Sequence, residues 1–136
     1  MQVVVDTNVL ISALLARSKT FELIVFGDLE LYVPEYALGE IERHKSELRK
    51  RMGIGEEEFV LALNIILSHV IVISREQYRE SEAKARKISP DPSDFPFFAL
   101  ALARKIPLWT NETRLKKQGE VVVYDTQNIL ALAGLS

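Results

Sequence analysis

Short β-branched runs alternate with longer stretches of helical periodicity along the whole chain. Val3, Val4 and Val5 form a continuous apolar run, which reads as a strand buried on both faces, as in a parallel sheet. Asp6, Thr7 and Asn8 follow as turn and cap residues, so a helix begins there and carries Leu10, Ile11, Leu14 and Leu15. Arg17, Ser18 and Lys19 break that pattern, and a second helix covers Phe21 to Phe26, ended by Gly27 and Asp28. Leu31, Tyr32 and Val33 make a second strand, closed by Pro34. The segment EYALGEIERHKSELRKRM is rich in helix formers, with Leu38, Ile41 and Leu48 on roughly one side. Gly53 and Gly55 interrupt it, another helix runs from about Glu56 through Leu67, and Val70 to Ile73 read as a third buried strand.

Glu76 to Ile88 is polar and reads as helix, whereas Pro90 and Pro92 make residues 89–93 a loop. Asp94 opens FPFFALALA, a helix apolar on nearly every side, the character of a helix wedged in a core. Its Pro96 fits only in the first turn. Pro107, Leu108 and Trp109 form a fourth strand ended by Thr110 and Asn111, and NETRLKKQG reads as a short helix with a glycine stop. Val121 to Tyr124 give a fifth strand, and Asp125 caps a last helix, TQNILALAGL. This alternation, with no hairpin signal, predicts an α/β fold with a mostly parallel sheet and helices on both faces. In such sheets ligands bind just outside the carboxyl ends of the strands.

Composition narrows the chemistry. The 136 residues read as one domain, 1–136, and an apolar fraction of 48% is enough for a core. A net charge of −2 argues against nucleic-acid binding by long-range attraction alone and leaves local basic patches or metal ions. The absence of cysteine excludes disulfides, thiolate metal sites and thiol nucleophiles. With no basic leader and no apolar run of membrane-spanning length, the expected setting is cytoplasmic, with no membrane contact.

Asp6 lies immediately after the first strand, and Asn111 and Glu112 just after the fourth. If those strands are neighbours, their ends are close. Asp94 opens the apolar helix leading into the fourth strand, and Glu40 sits in the first half of the helix after the second. Four carboxylates, Asp6, Glu40, Asp94 and Glu112, could therefore converge. Like charges packed together raise one another's pKa values, so such a cluster calls for a positive centre. Mg2+ or Mn2+ suits it, being hard ions that take carboxylate and water oxygens. Thr7, Asn8, Thr110 and Asn111 would hold the carboxylates or waters in place. Each acid also has a plainer reading: Asp6 and Asp94 as helix caps, Glu40 as a solvated helix face, Glu112 as a first-turn acid favoured by the helix dipole. Asp91 and Asp125 read as turn and cap residues.

The opening VVVDTNVLISALL resembles the first motif of PIN domains, an apolar strand ending in aspartate, then threonine or serine, asparagine and a short hydrophobic helix. VPEYALGEI resembles the second motif, and DPSDFPFFALALARKIPLWTNETRL the third and fourth together. The resemblance spans nearly the whole chain in the right order. It implies a three-layer α/β/α fold with a five-stranded parallel sheet in the order 3-2-1-4-5, which sets the ends of the first and fourth strands side by side. It also implies that Asp6, Glu40, Asp94 and Glu112 match the acidic positions that bind Mg2+ or Mn2+, with Asn8 and Thr110 supporting them. The family usually carries aspartate at the fourth acidic position, where this chain has Glu112.

The activity implied is metal-assisted hydrolysis of phosphodiester bonds by an endoribonuclease acting on RNA, leaving a 3′-hydroxyl and a 5′-phosphate. Small stand-alone PIN proteins often serve as the toxin of a toxin–antitoxin pair, which implies an antitoxin partner and a homodimer. Arg17, Lys19, Arg114, Lys116 and Lys117 are the basic residues placed to contact RNA phosphates. The run Lys45, Arg49, Lys50 and Arg51, joined by Arg43, reads more simply as a solvated helix face. His44 and His69 are not recruited: the first lies on a charged helix face and the second reads as structural beside a buried strand. Rival readings are a housekeeping RNA-processing nuclease and a non-catalytic protein that keeps the fold. A receiver domain is disfavoured because VIVIS ends in serine where an aspartate is needed, and nucleotide-binding GxxxxGK[ST] and GxGxxG patterns are absent.

Overall fold

The structure, a computed structural model, describes residues 1–15 and 18–134. Five parallel strands form one sheet: β1 (Gln2–Val5), β2 (Glu30–Pro34), β3 (Val70–Ile73), β4 (Leu108–Trp109) and β5 (Val123–Tyr124), in the order β3-β2-β1-β4-β5. The all-apolar run Val3, Val4 and Val5 sits at the centre and is fully buried. Its register pairs Val5 with Trp109, so the next residues on each strand, Asp6 and Thr110, leave the sheet together.

Among the described residues seven α-helices complete the layers: α1 (Thr7–Leu15), α2 (Lys19–Phe26), α3 (Tyr36–Met52), α4 (Glu56–Leu67), α5 (Glu82–Ile88), α6 (Phe95–Arg104) and α7 (Thr126–Leu132). α1 packs against α2, α3 and α4, while α6 lies along β1, β2 and β4 and carries α5. The burial of Phe97, Phe98, Ala99, Leu100 and Ala101 explains why α6 is apolar nearly all round: it is covered by the sheet on one side and by α5 on another. Pro96 lies in its first turn, where the missing N–H costs nothing. α6 ends at Lys105, whose φ of 58° turns the chain back toward β4. Among the described residues, no helix is long and apolar enough to cross a membrane.

Several local expectations change. Val70–Ile73 is a strand, but an edge strand with Ile71 48% and Val72 40% exposed, because an apolar run alone does not distinguish the edge of a sheet from its centre. His69 before it is accordingly exposed. The stretch expected as helix from Glu76 to Ile88 is two 3-10 turns, Arg75–Gln77 and Arg79–Ser81, followed by α5. Tyr78 leaves helical geometry between those turns (φ −128°, ψ 2°) and its ring is buried, a packing demand that the local sequence does not reveal.

The segment after β4 is a single 3-10 turn, Thr113–Lys116, rather than an α-helix. The Gln118 side chain closes it, donating to the Leu115 and Val121 carbonyls and accepting from the N–H groups of Glu120 and Val121. Those bonds hold Val121 outside the ladder, so the fifth strand is only Val123–Tyr124. α2 starts at Lys19, two residues earlier than the apolar pattern suggests, because Ser18 caps it by accepting from the Phe21 N–H.

Candidate active site

Asp6 emerges from the buried end of β1. Its backbone carbonyl accepts from Val9 and Leu10 and so starts α1. Its carboxyl does little capping: the contact from the Asn8 N–H to Oδ1 is long, at 3.4 Å. The strong bond crosses the sheet, with the Thr110 hydroxyl donating to Asp6 Oδ2 at 2.7 Å. Thr110 is itself buried and accepts the Glu112 N–H at 3.1 Å, so one hydroxyl ties Asp6 to the turn that carries Glu112.

Glu40 approaches from α3. The Thr7 hydroxyl donates to its Oε1 at 2.6 Å, which links α1 to α3 beside Asp6. Asp94 stands at the start of α6, but its side chain makes no capping bond, so capping does not account for the aspartate. Glu112 is half-buried, and its carboxylate lies 3.4 Å from the Arg114 guanidinium.

Electrostatics join these four groups. Burial pushes the Asp6 carboxyl up and the Glu112 charge adds to the rise, against the Thr110 hydroxyl and the Asn8 N–H. Burial also raises Glu40; the Thr7 bond opposes this, and the Asp6 charge reinforces it. Asp94 is pushed up to about 7, first by burial and then by the charges of Asp6, Asp91 and Glu40, with Arg114 opposing. Oxygen donors of this kind could hold a hard divalent cation. Among the described residues, however, no three acidic or imidazole side chains are placed to ligate one ion together. Asp6 and Glu40 are instead each held by a threonine hydroxyl.

The remaining polar residues divide. Thr7 and Thr110 touch carboxylates directly, whereas the Asn8 side chain is exposed. Asn111 turns the other way: its Oδ1 accepts from both the N–H and the hydroxyl of Thr126, anchoring the start of α7. The Trp109 indole N–H meets the same Thr126 hydroxyl at 3.1 Å. Of the basic residues, Arg114 bridges Asp91 and Glu112, and Lys116 bonds Asp125 and Asn128. Lys19 lies 3.7 Å from Glu22 on an exposed face, Lys117 is exposed, and Arg17 lies outside the described residues.

Two participants escaped the sequence reading. Asp91 accepts from the Ser93 N–H and hydroxyl and also from Arg114, so it fixes the loop before Asp94 to the turn after β4. Tyr36 lies one helical turn before Glu40. Burial and then the Glu40 charge raise its phenol, with Asp94 adding and Arg43 opposing. The four-residue spacing to Glu40 was a visible signal for Tyr36. Asp91 gave only its turn chemistry.

The sequence profile of the PIN domain matches residues 4–132. Comparison with curated protein sequences gives no match. Among solved structures, the chain is similar to one in the crystal structure of VapBC2 from Rickettsia felis bound to a DNA fragment from their promoter. The two share 17% sequence identity and superpose with a TM-score of 0.68, over 92% of this chain and 98% of that chain. At that identity the likeness is one of fold.

Proposed function

This chain belongs to the PIN-domain family, and on that footing we propose that it is a divalent-metal-dependent endoribonuclease hydrolysing phosphodiester bonds in single-stranded RNA. The observation that carries the reading is the electrostatic coupling of Asp6, Glu40, Asp94 and Glu112 beyond the ends of β1 and β4. Three of them have raised pKa values, which means that their charges are crowded and poorly solvated. A cation would relieve that crowding. PIN domains are in general metal-dependent, and an all-oxygen donor set selects Mg2+ or Mn2+ over softer ions.

In this reading Asp6, Glu40, Asp94 and Glu112, which do not converge on one point in the metal-free protein, would draw together to hold the ion, which would supply positive charge at the phosphate and make water more acidic. Thr7 and Thr110 orient the carboxylates through their hydroxyls. Arg114 balances Asp91 and Glu112 in the resting protein and is close enough to the acids to exchange toward an RNA phosphate. Lys19, Lys116, Lys117 and Arg17 would extend phosphate contact, and Lys117, directly after the Thr113–Lys116 turn, is exposed. Asn8 would support Asp6 through its backbone N–H, while Asn111 acts through the α7 anchor.

The shared fold with the VapBC2 chain favours a toxin partnered by an antitoxin over a housekeeping nuclease. Dimerisation belongs to the same reading, and Leu61 at 64%, Ile65 at 51% and Ile71 at 48% exposure supply apolar surface for it. The test is cleavage of 5′-labelled single-stranded RNA with Mn2+, Mg2+ or EDTA, beside Asp6→Asn. Metal-dependent cleavage lost in the variant supports the reading. Equal cleavage by the variant, or none by the wild type with no Mn2+ binding by calorimetry, removes it.

A further inference from the structure

A cleft of about 330 Å3 opens beside the carboxylates, lined by Tyr36, Phe95, Arg75, Arg86, Glu35 and Glu82 among others. It adjoins the acidic group through two helix starts. Tyr36 opens α3 one turn before Glu40, and Phe95 opens α6 directly after Asp94. The lining thus includes chain neighbours of Glu40 and Asp94 though neither acid itself, and Tyr36 feels the charge of both.

The two acids lining the cleft are already engaged. Glu82 is buried and accepts Arg75 Nε and Nη2 at 2.9–3.2 Å, and Glu35 accepts the Arg75 backbone N–H at 3.0 Å. What remains for a ligand is aromatic and cationic. The Arg86 guanidinium lies 4.2 Å from the Phe95 ring centre, and that of Arg43 lies 5.8 Å from the Tyr36 ring centre. Among the described residues no salt bridge engages Arg43 or Arg86. A guanidinium plane stacked on a half-buried ring and held by no carboxylate leaves its outer face for an unpaired nucleobase, with the positive charge attracting the adjoining phosphate. The volume is near the lower end of the roughly 300–1,000 Å3 typical of small-ligand clefts, which suits one nucleotide and excludes a duplex.

We propose that this cleft is a stacking subsite for one unpaired RNA base next to the phosphate at the carboxylates, with Phe95, Tyr36 and Arg86 as its contacts. The placement of that phosphate rests on the nuclease reading above. The subsite makes single-strandedness beside the cut a requirement, and it selects bases by stacking strength rather than by hydrogen-bonded edges.

The test is equilibrium binding of a fluorescein-labelled 10-nucleotide single-stranded RNA in Ca2+, for wild type, Arg86→Ala and Phe95→Leu. A second set of RNAs carries one abasic nucleotide moved along the strand. Arg86 is exposed and Phe95→Leu keeps an apolar side chain, and thermal melts confirm that both variants fold. Each variant weakens binding by about 5- to 50-fold, the scale of one lost stacking contact. One abasic position weakens the wild type equally and leaves Phe95→Leu unchanged. Wild-type affinity in both variants overturns the subsite, and is also what a protein segment seated in the cleft would produce. Asp6→Asn cleavage is scored separately: its loss alongside unaltered binding by the Phe95 and Arg86 variants retains the nuclease and discards the subsite. Failure of the wild type to bind the RNA discards the subsite.

Discussion

The Thr110 hydroxyl donates to Asp6 Oδ2 at 2.7 Å, joining residues 104 positions apart at the ends of adjacent strands. Both groups are buried, so neither has water as a substitute partner. Thr110→Val keeps the shape and removes the donor. We expect a loss of about 1–3 kcal/mol in stability, since a buried carboxylate oxygen is left unpaired. Thr110→Ser retains the bond and stays near wild type. Urea unfolding of both variants decides this; equal midpoints would mean that the bond contributes nothing net.

Cleavage is expected to fall by about 100-fold or more in Asp6→Asn, Glu40→Gln and Asp94→Asn, the scale of removing one charged group from a preorganised site. Single-turnover rates on labelled RNA in Mn2+ measure it. Glu112 is half-exposed and shared with Arg114, so Glu112→Gln costs less than the other three. A ranking with Glu112→Gln most severe would show that the fourth acid, despite its extra methylene, is the principal ligand.

Without divalent ions the protein is expected to be more stable at pH 5.5 than at pH 8. Asp94 at about 7, with Asp6 and Glu40 also raised, binds protons more tightly folded than unfolded. That contribution is fully present below the unfolded value of about 4 and disappears as pH rises through the folded values. Asp91 and Asp125 are lowered, by Ser93 and by Lys116 respectively, and contribute in the opposite sense, only as pH falls below about 4. Melting in EDTA at the two pH values checks the slope, and a higher Tm at pH 8 would contradict it. Mn2+ should raise Tm more at pH 8, because protons compete for the same oxygens.

Asp94→Asn removes the most crowded of these charges. Discounted for partial exposure, its expected gain in EDTA at pH 8 is about 1 kcal/mol, with no gain at pH 4. The same variant therefore loses activity while the metal-free protein melts higher. Destabilisation at pH 8 would mean that Asp94 makes favourable contacts outweighing its repulsion.

Asn111→Ala is expected to act on stability. Its carboxamide oxygen accepts two bonds from Thr126, and losing them should cost about 1–2 kcal/mol. The pH dependence of cleavage should keep its midpoints, because Asn111 touches none of the four acids. A shifted profile at unchanged stability would assign it to the site instead.

The order of elements and the central place of Val3–Val5 were legible in the sequence, because a fully apolar β-branched run has few stable places other than between two helical layers. Asp6, Glu40, Asp94 and Glu112 could be singled out in the sequence, since each follows a strand or lies near the start of a helix beyond one, but among the described residues no three acidic or imidazole side chains are placed to ligate one ion. Tertiary structure alone decided which threonine serves which acid: Thr110 reaches Asp6 and Thr7 reaches Glu40, pairings set by strand register and helix packing. It also turned Asn111 toward α7, engaged Arg114 with Asp91, and set Tyr36 and Phe95 around one cleft. The edge position of β3 and the break at Tyr78 belong to the same class. Local sequence encodes backbone preference and apolar periodicity, whereas hydrogen-bond partners and ring contacts depend on which distant segments arrive at the same place.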